Sequence, residues 1–107
     1  MKYTVLVLSA AEEDVVDIFD YILVNNSRHN ASYVVEHLQE SCNELSSFPN
    51  KGHCPPELEE IGVNNFREVH FKPYRIIYEV IDKNVFVHCI LDGRRSLQRL
   101  LERRLIR

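Results

Sequence analysis

The residues of this chain best suited to recognising a charged partner are the arginines at its end. The last fourteen residues hold six arginines and no lysine, with Glu102 as the only acid, for a net charge of +5. The preceding 93 residues hold seven Lys or Arg against fifteen Asp or Glu, for −8. Arginine binds planar carboxylate and phosphate groups through paired hydrogen bonds. The asymmetry predicts a negatively charged partner for this end. The alternative is a solvated helix end whose cations only interact with the helix dipole.

Histidine and cysteine are common metal ligands, but their spacing in this chain does not match a metal-binding motif. His53-Cys54 and His88-Cys89 are adjacent pairs, and His70 stands alone. Neither a C-x₂-C nor an H-x₃-H spacing is present, and neighbours in a strand, as predicted for His88-Cys89, point to opposite faces. We therefore expect no metal and no cofactor. The odd number of cysteines favours reduced thiols in a cytoplasmic protein.

The stretch before the arginines predicts three strands. Phe66–Phe71 and Tyr74–Ile81 are rich in aromatic and β-branched residues, and only Lys72-Pro73 separates them, which is typical of a hairpin. Val85–Leu91 is apolar almost throughout, which predicts a central strand covered on both faces. Asp92-Gly93 then ends this strand.

A helix is predicted after the glycine. Leucines recur there at helical spacing and predict one apolar face: Leu97, Leu100, Leu101 and Leu105. Arginines follow at four-residue steps on another face: Arg95, Arg99 and Arg103.

The first half of the chain predicts one strand and two helices. Tyr3–Leu8 is a β-branched and leucine-rich strand, and Ser9 with Glu12 has the form of a capping box that starts the first helix. A second helix is predicted from about residue 28 to 48 because its apolar residues follow a 3.6-residue period. Pro49–Gly62 shows little periodicity and predicts an irregular connection.

These elements predict an α+β fold of order β-α-α-β-β-β-α, in a single domain of residues 1–107. A helical hairpin would pack on one face of a small, mainly antiparallel sheet. No apolar run approaches the roughly 20 residues that a membrane-spanning helix needs, and the N-terminus has no signal-peptide pattern. We therefore expect a cytoplasmic protein with no membrane partner.

This order of elements, together with FREVHFKPYRIIYEV and ILDGRRSLQRLL, resembles the RelE/ParE superfamily of toxins from type II toxin–antitoxin, or plasmid stabilisation, modules. The turn Gly93-Arg94-Arg95 before a leucine-spaced helix is most similar to the ParE-like branch. The resemblance implies growth arrest by poisoning of DNA gyrase, without catalysis by the toxin itself. RelE-type members are instead endoribonucleases that cut mRNA in the ribosome. Both kinds are neutralised by a cognate antitoxin.

The nuclease alternative can be compared with the chain residue by residue. RNA cleavage by its own 2′-hydroxyl needs a general base, a general acid and cations for the developing charge. In the comparison with RelE-type members, Arg75 and Arg95 occupy two arginine positions, whereas two lysine positions fall on Glu68 and His70. The tyrosine position falls on Leu101. Glu68 and His70 could form an acid–base couple, so the alternative catalytic set is Glu68, His70, Arg75 and Arg95.

A carboxylate in place of a lysine repels phosphate, which favours the ParE-like, non-enzymatic interpretation. The target-binding residues would then be Arg75, Arg94, Arg95, Arg99 and Arg103. They would contact gyrase, so that any contact with DNA is indirect, through gyrase or the antitoxin; the alternative target is the ribosome with its mRNA. Arg75 has a structural alternative, because it can pair with Glu68 or Glu79 across the hairpin. A third alternative is a non-toxic member that acts only as a binding partner.

Overall fold

A computed structural model describes residues 2–106 of the chain. The first half forms strand β1 (Thr4–Val7) and helices α1 (Ser9–Asn25) and α2 (Arg28–Glu44). A short helix α3 (Pro56–Glu59) leads into strands β2 (Arg67–Phe71), β3 (Tyr74–Ile81) and β4 (Asn84–Asp92), and helix α4 (Gln98–Leu105) follows. The four strands form one sheet in the order β1-β4-β3-β2.

The sheet is mainly antiparallel, as the sequence predicts. β2, β3 and β4 pair with one another as an antiparallel meander. β1 pairs with β4 in parallel, with Thr4 opposite Asn84 and Val7 opposite Val87. Ile77 pairs with Cys89 but Tyr78 pairs with Val87, so His88 is an extra residue that forms a bulge in β4.

Two separate cores lie on the two faces of the sheet, which explains why β3 and β4 are apolar almost throughout. On one face the helical hairpin of α1 and α2 covers Ile76, Tyr78, Val85 and Val87. On the other face Leu97 and Leu101 of the C-terminal segment cover Ile77, Cys89 and Leu91. Burial raises the pKa of the Cys89 thiol to about 11, so this cysteine is a small core residue and not a thiolate.

Four predicted details of the helices are wrong. α2 ends at Glu44, because Pro49 is preceded by a turn and not by further helix. The Ser9 capping box is absent, since Leu8 is the N-cap and no side chain caps this end. The segment predicted as wholly irregular contains α3, whose first residue is a proline suited to an N-terminal turn. α4 begins only at Gln98, so Arg95 and Leu97, which were predicted to lie on its faces, precede the helix.

The first and last helices meet at the edge of β4 that β1 leaves uncovered. Asp14 of α1 accepts a hydrogen bond from the Ile90 backbone N–H at 3.0 Å. Arg104 of α4 donates to both Asp14 oxygens at 3.1 Å and to the His88 carbonyl at 2.9 Å. The Asp14–Arg104 pair therefore satisfies backbone groups that would otherwise form a bare strand edge.

No helix within residues 2–106 is sufficiently long and apolar to span a bilayer.

Candidate functional site

Arg75 lies at the centre of a cluster of charged side chains on the α4 side of the sheet. Its guanidinium donates to both carboxylate oxygens of Glu57, at 2.6 and 2.8 Å. It also donates to both oxygens of Glu68, at 2.6 and 3.0 Å. The Arg75 side chain is only 13% exposed and the Glu68 side chain 2%. Arg75 thus pairs with Glu68, one of the two partners that the sequence offers, and with Glu57 instead of Glu79.

The local backbone explains this arrangement. In the β2–β3 register Glu68 stands opposite Ile77, so Arg75 is its diagonal neighbour on the same face of the sheet. A Cβ atom on Gly93 would lie 2.7 Å from the Arg75 Cδ atom. Only glycine therefore leaves room for the Arg75 stem at the turn after β4, which gives the Gly93-Arg94-Arg95 motif a packing role.

Two histidines approach the same buried carboxylate, one at each oxygen. His70 Nε2 lies 3.0 Å from Glu68 Oε1, and His53 Nε2 lies 3.5 Å from Glu68 Oε2. Their rings meet edge to face, with centroids 5.6 Å apart. We call these five residues the Arg75 cluster: His53, Glu57, Glu68, His70 and Arg75.

The charge of the Arg75 cluster disfavours phosphate. Two carboxylates against one guanidinium leave a net charge of −1 when both imidazoles are neutral. The Arg75 guanidinium has five N–H groups, and it donates four hydrogen bonds to carboxylate oxygens. Little of the arginine is left to neutralise a substrate phosphate, so the geometry gives the cluster the electrostatics of a cation site.

The structure brings together three of the four residues of the alternative catalytic set. Glu68 contacts both His70 and Arg75, whereas Arg95 lines a different groove beside Asp17 and Tyr21 of α1. Leu101, at the position of the RelE-type tyrosine, is fully buried in the core.

The pairing with Arg75 has a measurable pH dependence. Hydrogen bonds from Arg75 hold the pKa of the Glu57 carboxyl below its ordinary value. A carboxyl whose pKa is lower in the folded state stabilises the protein above its unfolded-state pKa, and this contribution is lost as the pH falls through the folded-state pKa. We expect the difference in unfolding free energy between wild type and Glu57→Gln to be constant above about pH 5 and to shrink below it. Urea unfolding at a series of pH values measures this difference.

The matched control is Glu60→Gln, which removes an exposed carboxylate that forms no ion pair with any other residue of 2–106. This variant should follow the wild-type pH profile. A Glu57→Gln profile parallel to that of Glu60→Gln would contradict the pairing.

The remaining arginines separate into paired and unpaired residues. Arg94 is exposed but pairs with Asp92 at 2.6 Å, and Arg104 pairs with Asp14. Three exposed arginines form no ion pair with any described residue, and we call them the unpaired arginines: Arg95, Arg99 and Arg103. The predicted single stripe of Arg95, Arg99 and Arg103 is wrong, because Arg95 lies in the turn before α4. Arg99 and Arg103 lie one turn apart on α4, and Arg107 falls outside the described residues.

A protein-family model described as "ParE toxin of type II toxin-antitoxin system, parDE" matches residues 5–97, which is most of the chain. The chain belongs to the ParE toxin family. The resemblance of the hairpin and the Gly93-Arg94-Arg95 turn to this branch is therefore confirmed.

Solved structures of toxin–antitoxin systems have the same fold as this ParE-family toxin. A chain of the chromosomal ParDE system from P. aeruginosa superimposes with a TM-score of 0.68 at 20% identity, over 83% of this chain and 94% of that one. A chain of the RelBE2 toxin–antitoxin complex from Mycobacterium tuberculosis superimposes with a TM-score of 0.63 at 16% identity, over 84% and 96%. No curated protein matches the sequence. The predicted α+β architecture is confirmed, and it is shared by ParE and RelE toxins alike.

Sequence reasoning missed one member of the Arg75 cluster, Glu57, and considered another, His53, only for a metal site that it rejected. His53 and Glu57 come from the segment between α2 and β2, where no periodicity indicates which residues face the sheet. A signal was available in the two prolines, Pro55 and Pro56, which are typical of a helix start. They begin α3, whose first turn contains Glu57.

Proposed function

We propose that this ParE-family toxin arrests growth by poisoning DNA gyrase, and that it acts by binding and not by catalysis. The observation that supports this most directly is the set of unpaired arginines, which presents uncompensated positive charge on a chain of net charge −3. Such charge suits an acidic protein surface or a DNA backbone held by a protein. Arg94 lies next to Arg95 in the chain. It would also bind the target if its ion pair with Asp92 were replaced by one with an acidic group of the target.

Arg75 has no direct part in the proposed binding. Its donors are directed to two carboxylates and its side chain is mostly buried, so its role is to hold α3 and the Gly93 turn in place. This anchoring would fix the position of the chain after Gly93, and with it the positions of the arginines that follow.

The proposed partner that neutralises the toxin is a cognate antitoxin, which would act in the cytoplasm. The helical hairpin leaves large apolar side chains exposed, including Val16 at 56%, Val24 at 82% and Tyr33 at 51%. An amphipathic helix laid across α1 and α2 would cover them. An acidic segment of the same antitoxin would cover the unpaired arginines.

A second candidate function is ribosome-dependent mRNA cleavage. It is supported by His53 and His70, which share one open cleft with Glu68 and Arg75 and offer the two imidazoles that acid–base chemistry on RNA requires. The negative charge of the Arg75 cluster counts against it, because phosphorane charge would develop beside an excess carboxylate.

Inducible expression of the full chain without its antitoxin separates these functions. Growth, DNA cleavage and supercoiling, and mRNA integrity are scored in the same cultures. We expect arrest with cleaved DNA and intact mRNA. Codon-specific mRNA fragments, lost in His70→Gln, would instead establish the nuclease, and growth without arrest would indicate a non-toxic member.

A further inference from the structure

The strongest unassigned feature of this molecule is the meeting of two histidines and a buried carboxylate at one point. We infer that His53, Glu68 and His70 form a binding site for a divalent transition metal of the zinc type. One ligand atom from each residue lies within 4.8 Å of the other two. This site goes beyond the proposed gyrase function and departs from the sequence-based expectation of no metal.

The backbone preorganises the three side chains on one face of a small sheet. His53 and Glu68 form an antiparallel bridge, in which each donates its N–H to the other's carbonyl, at 3.2 and 2.7 Å. Residues paired in this way project their side chains to the same side. His70 follows Glu68 by two positions on β2 and so faces the same way. The site thus requires no rearrangement of the backbone.

A close approach of the loop makes this bridge possible. A Cβ atom on Gly52 would lie 2.4 Å from the Glu68 carbonyl oxygen. Glycine therefore allows the chain before His53 to lie directly against β2. The Gly52 N–H also donates to the Tyr78 hydroxyl at 3.0 Å, which anchors the loop to the core.

The ligand distances suit a tetrahedral ion. At metal–ligand bonds of about 2.0–2.1 Å, neighbouring ligand atoms in a tetrahedral zinc site lie about 3.3 Å apart. His70 Nε2 lies 3.0 Å from Glu68 Oε1 and His53 Nε2 lies 3.5 Å from Glu68 Oε2, so each imidazole is near that spacing from one oxygen of the carboxylate. Small side-chain rotations close the remaining gap between the imidazoles, because the side chains of His53 and His70 are 63% and 37% exposed. Three protein ligands leave a fourth position open to the cleft.

Arg75 supports the site as an outer contact. Its guanidinium donates to both Glu68 oxygens and so fixes the orientation of the carboxylate, and one histidine lies beside each of the same oxygens. Carboxylates that bind a metal are regularly held by hydrogen bonds from such outer contacts. The net charge of −1 on the Arg75 cluster, in which Arg75 is already counted, favours a cation, and the nearby Lys72 and Arg94 reduce the attraction.

Titration calorimetry of the purified full chain with Zn²⁺ tests the inference, with Mg²⁺ as the negative comparison because imidazole is a poor ligand for it. We expect one Zn²⁺ per chain, a rise in Tm with excess Zn²⁺, and visible absorption typical of four-coordinate cobalt when Co²⁺ replaces it. His53→Gln and His70→Gln should each weaken binding at least tenfold and abolish the rise in Tm.

The chain offers a matched control in His88, which pairs with Glu79 at 3.2 Å and belongs to no group of three possible metal ligands within residues 2–106. His88→Gln should bind Zn²⁺ as the wild type does. The inference is overturned if wild type binds no Zn²⁺, or if binding survives in both His53→Gln and His70→Gln. It is equally overturned if Cys54→Ser and not His70→Gln abolishes binding, since a thiolate would then be the ligand.

Discussion

Neutralising the three unpaired arginines is expected to abolish growth arrest while leaving the fold intact. In the variant Arg95→Gln, Arg99→Gln, Arg103→Gln, each change removes an exposed guanidinium that contributes no ion pair to the described part of the chain. If each contact with the target contributes about 0.5–1 kcal/mol, the three together correspond to a loss of roughly 10- to 150-fold in affinity. Gyrase supercoiling assays with purified toxin measure this loss, and growth after induction reports its effect in cells.

A control with the same change of net charge separates location from total charge. Arg28→Gln, Lys51→Gln, Lys83→Gln removes three exposed cations from α2, the loop that follows it and the β3–β4 turn. This variant should remain toxic. Equal loss of toxicity in both triple variants would contradict a specific arginine surface, as would full toxicity of the first variant with a native circular-dichroism spectrum.

Replacing Arg75 with methionine is expected to have the largest effect on stability of any single change proposed for this chain. Methionine keeps the apolar stem that packs against Gly93 but leaves the mostly buried carboxylates of Glu57 and Glu68 facing each other without a cation. Removing one partner of a buried ion pair costs about 3–5 kcal/mol in unfolding free energy. Urea unfolding followed by circular dichroism measures the loss.

The neutral triple variant Glu57→Gln, Glu68→Gln, Arg75→Met distinguishes charge from packing. It removes both stranded charges together with the guanidinium, so it should recover much of the lost stability. If the triple variant is no more stable than Arg75→Met alone, the unfolding free energy lost in Arg75→Met comes from changed packing and not from unpaired charge. A cost below about 1 kcal/mol for Arg75→Met would mean that the pair behaves as an exposed one.

The strands and the last helix could be predicted because their patterns follow directly from burial. The alternation in β3 predicts that Tyr74, Ile76 and Tyr78 share one buried face, and β4 is apolar on both sides because a core lies on each face. The leucines after Gly93 likewise predict the buried face of α4, and Leu97 and Leu101 are fully buried. In this part of the chain only the start of α4 was misplaced, because Arg95 and Leu97 fit the spacing of the helical residues that follow, although both precede Gln98.

The Arg75 cluster could be predicted only in part. Glu68 and Arg75 lie on adjacent predicted strands, so their pairing follows from the hairpin register. His53 and Glu57 reach the cluster from a segment whose course is set by the Gly52 approach and by α3, and neither has a periodic signal. For the same reason the histidines show no metal-binding motif in the sequence. Seventeen positions separate His53 from His70, and the bridge between His53 and Glu68 brings the two histidines together.

The contacts of Asp14 can form only after nearly the whole chain has been synthesised. They join residues that are 76 and 90 positions apart in the chain, and β1 likewise has no strand partner until β4 has been made. Contacts of such long range form late in folding, whereas α1 and α2 contact each other across a short loop and can associate early. A nascent chain therefore offers its helical hairpin, the proposed antitoxin surface, before its arginines are held in place. A partner present during translation could bind the chain before it becomes a finished toxin.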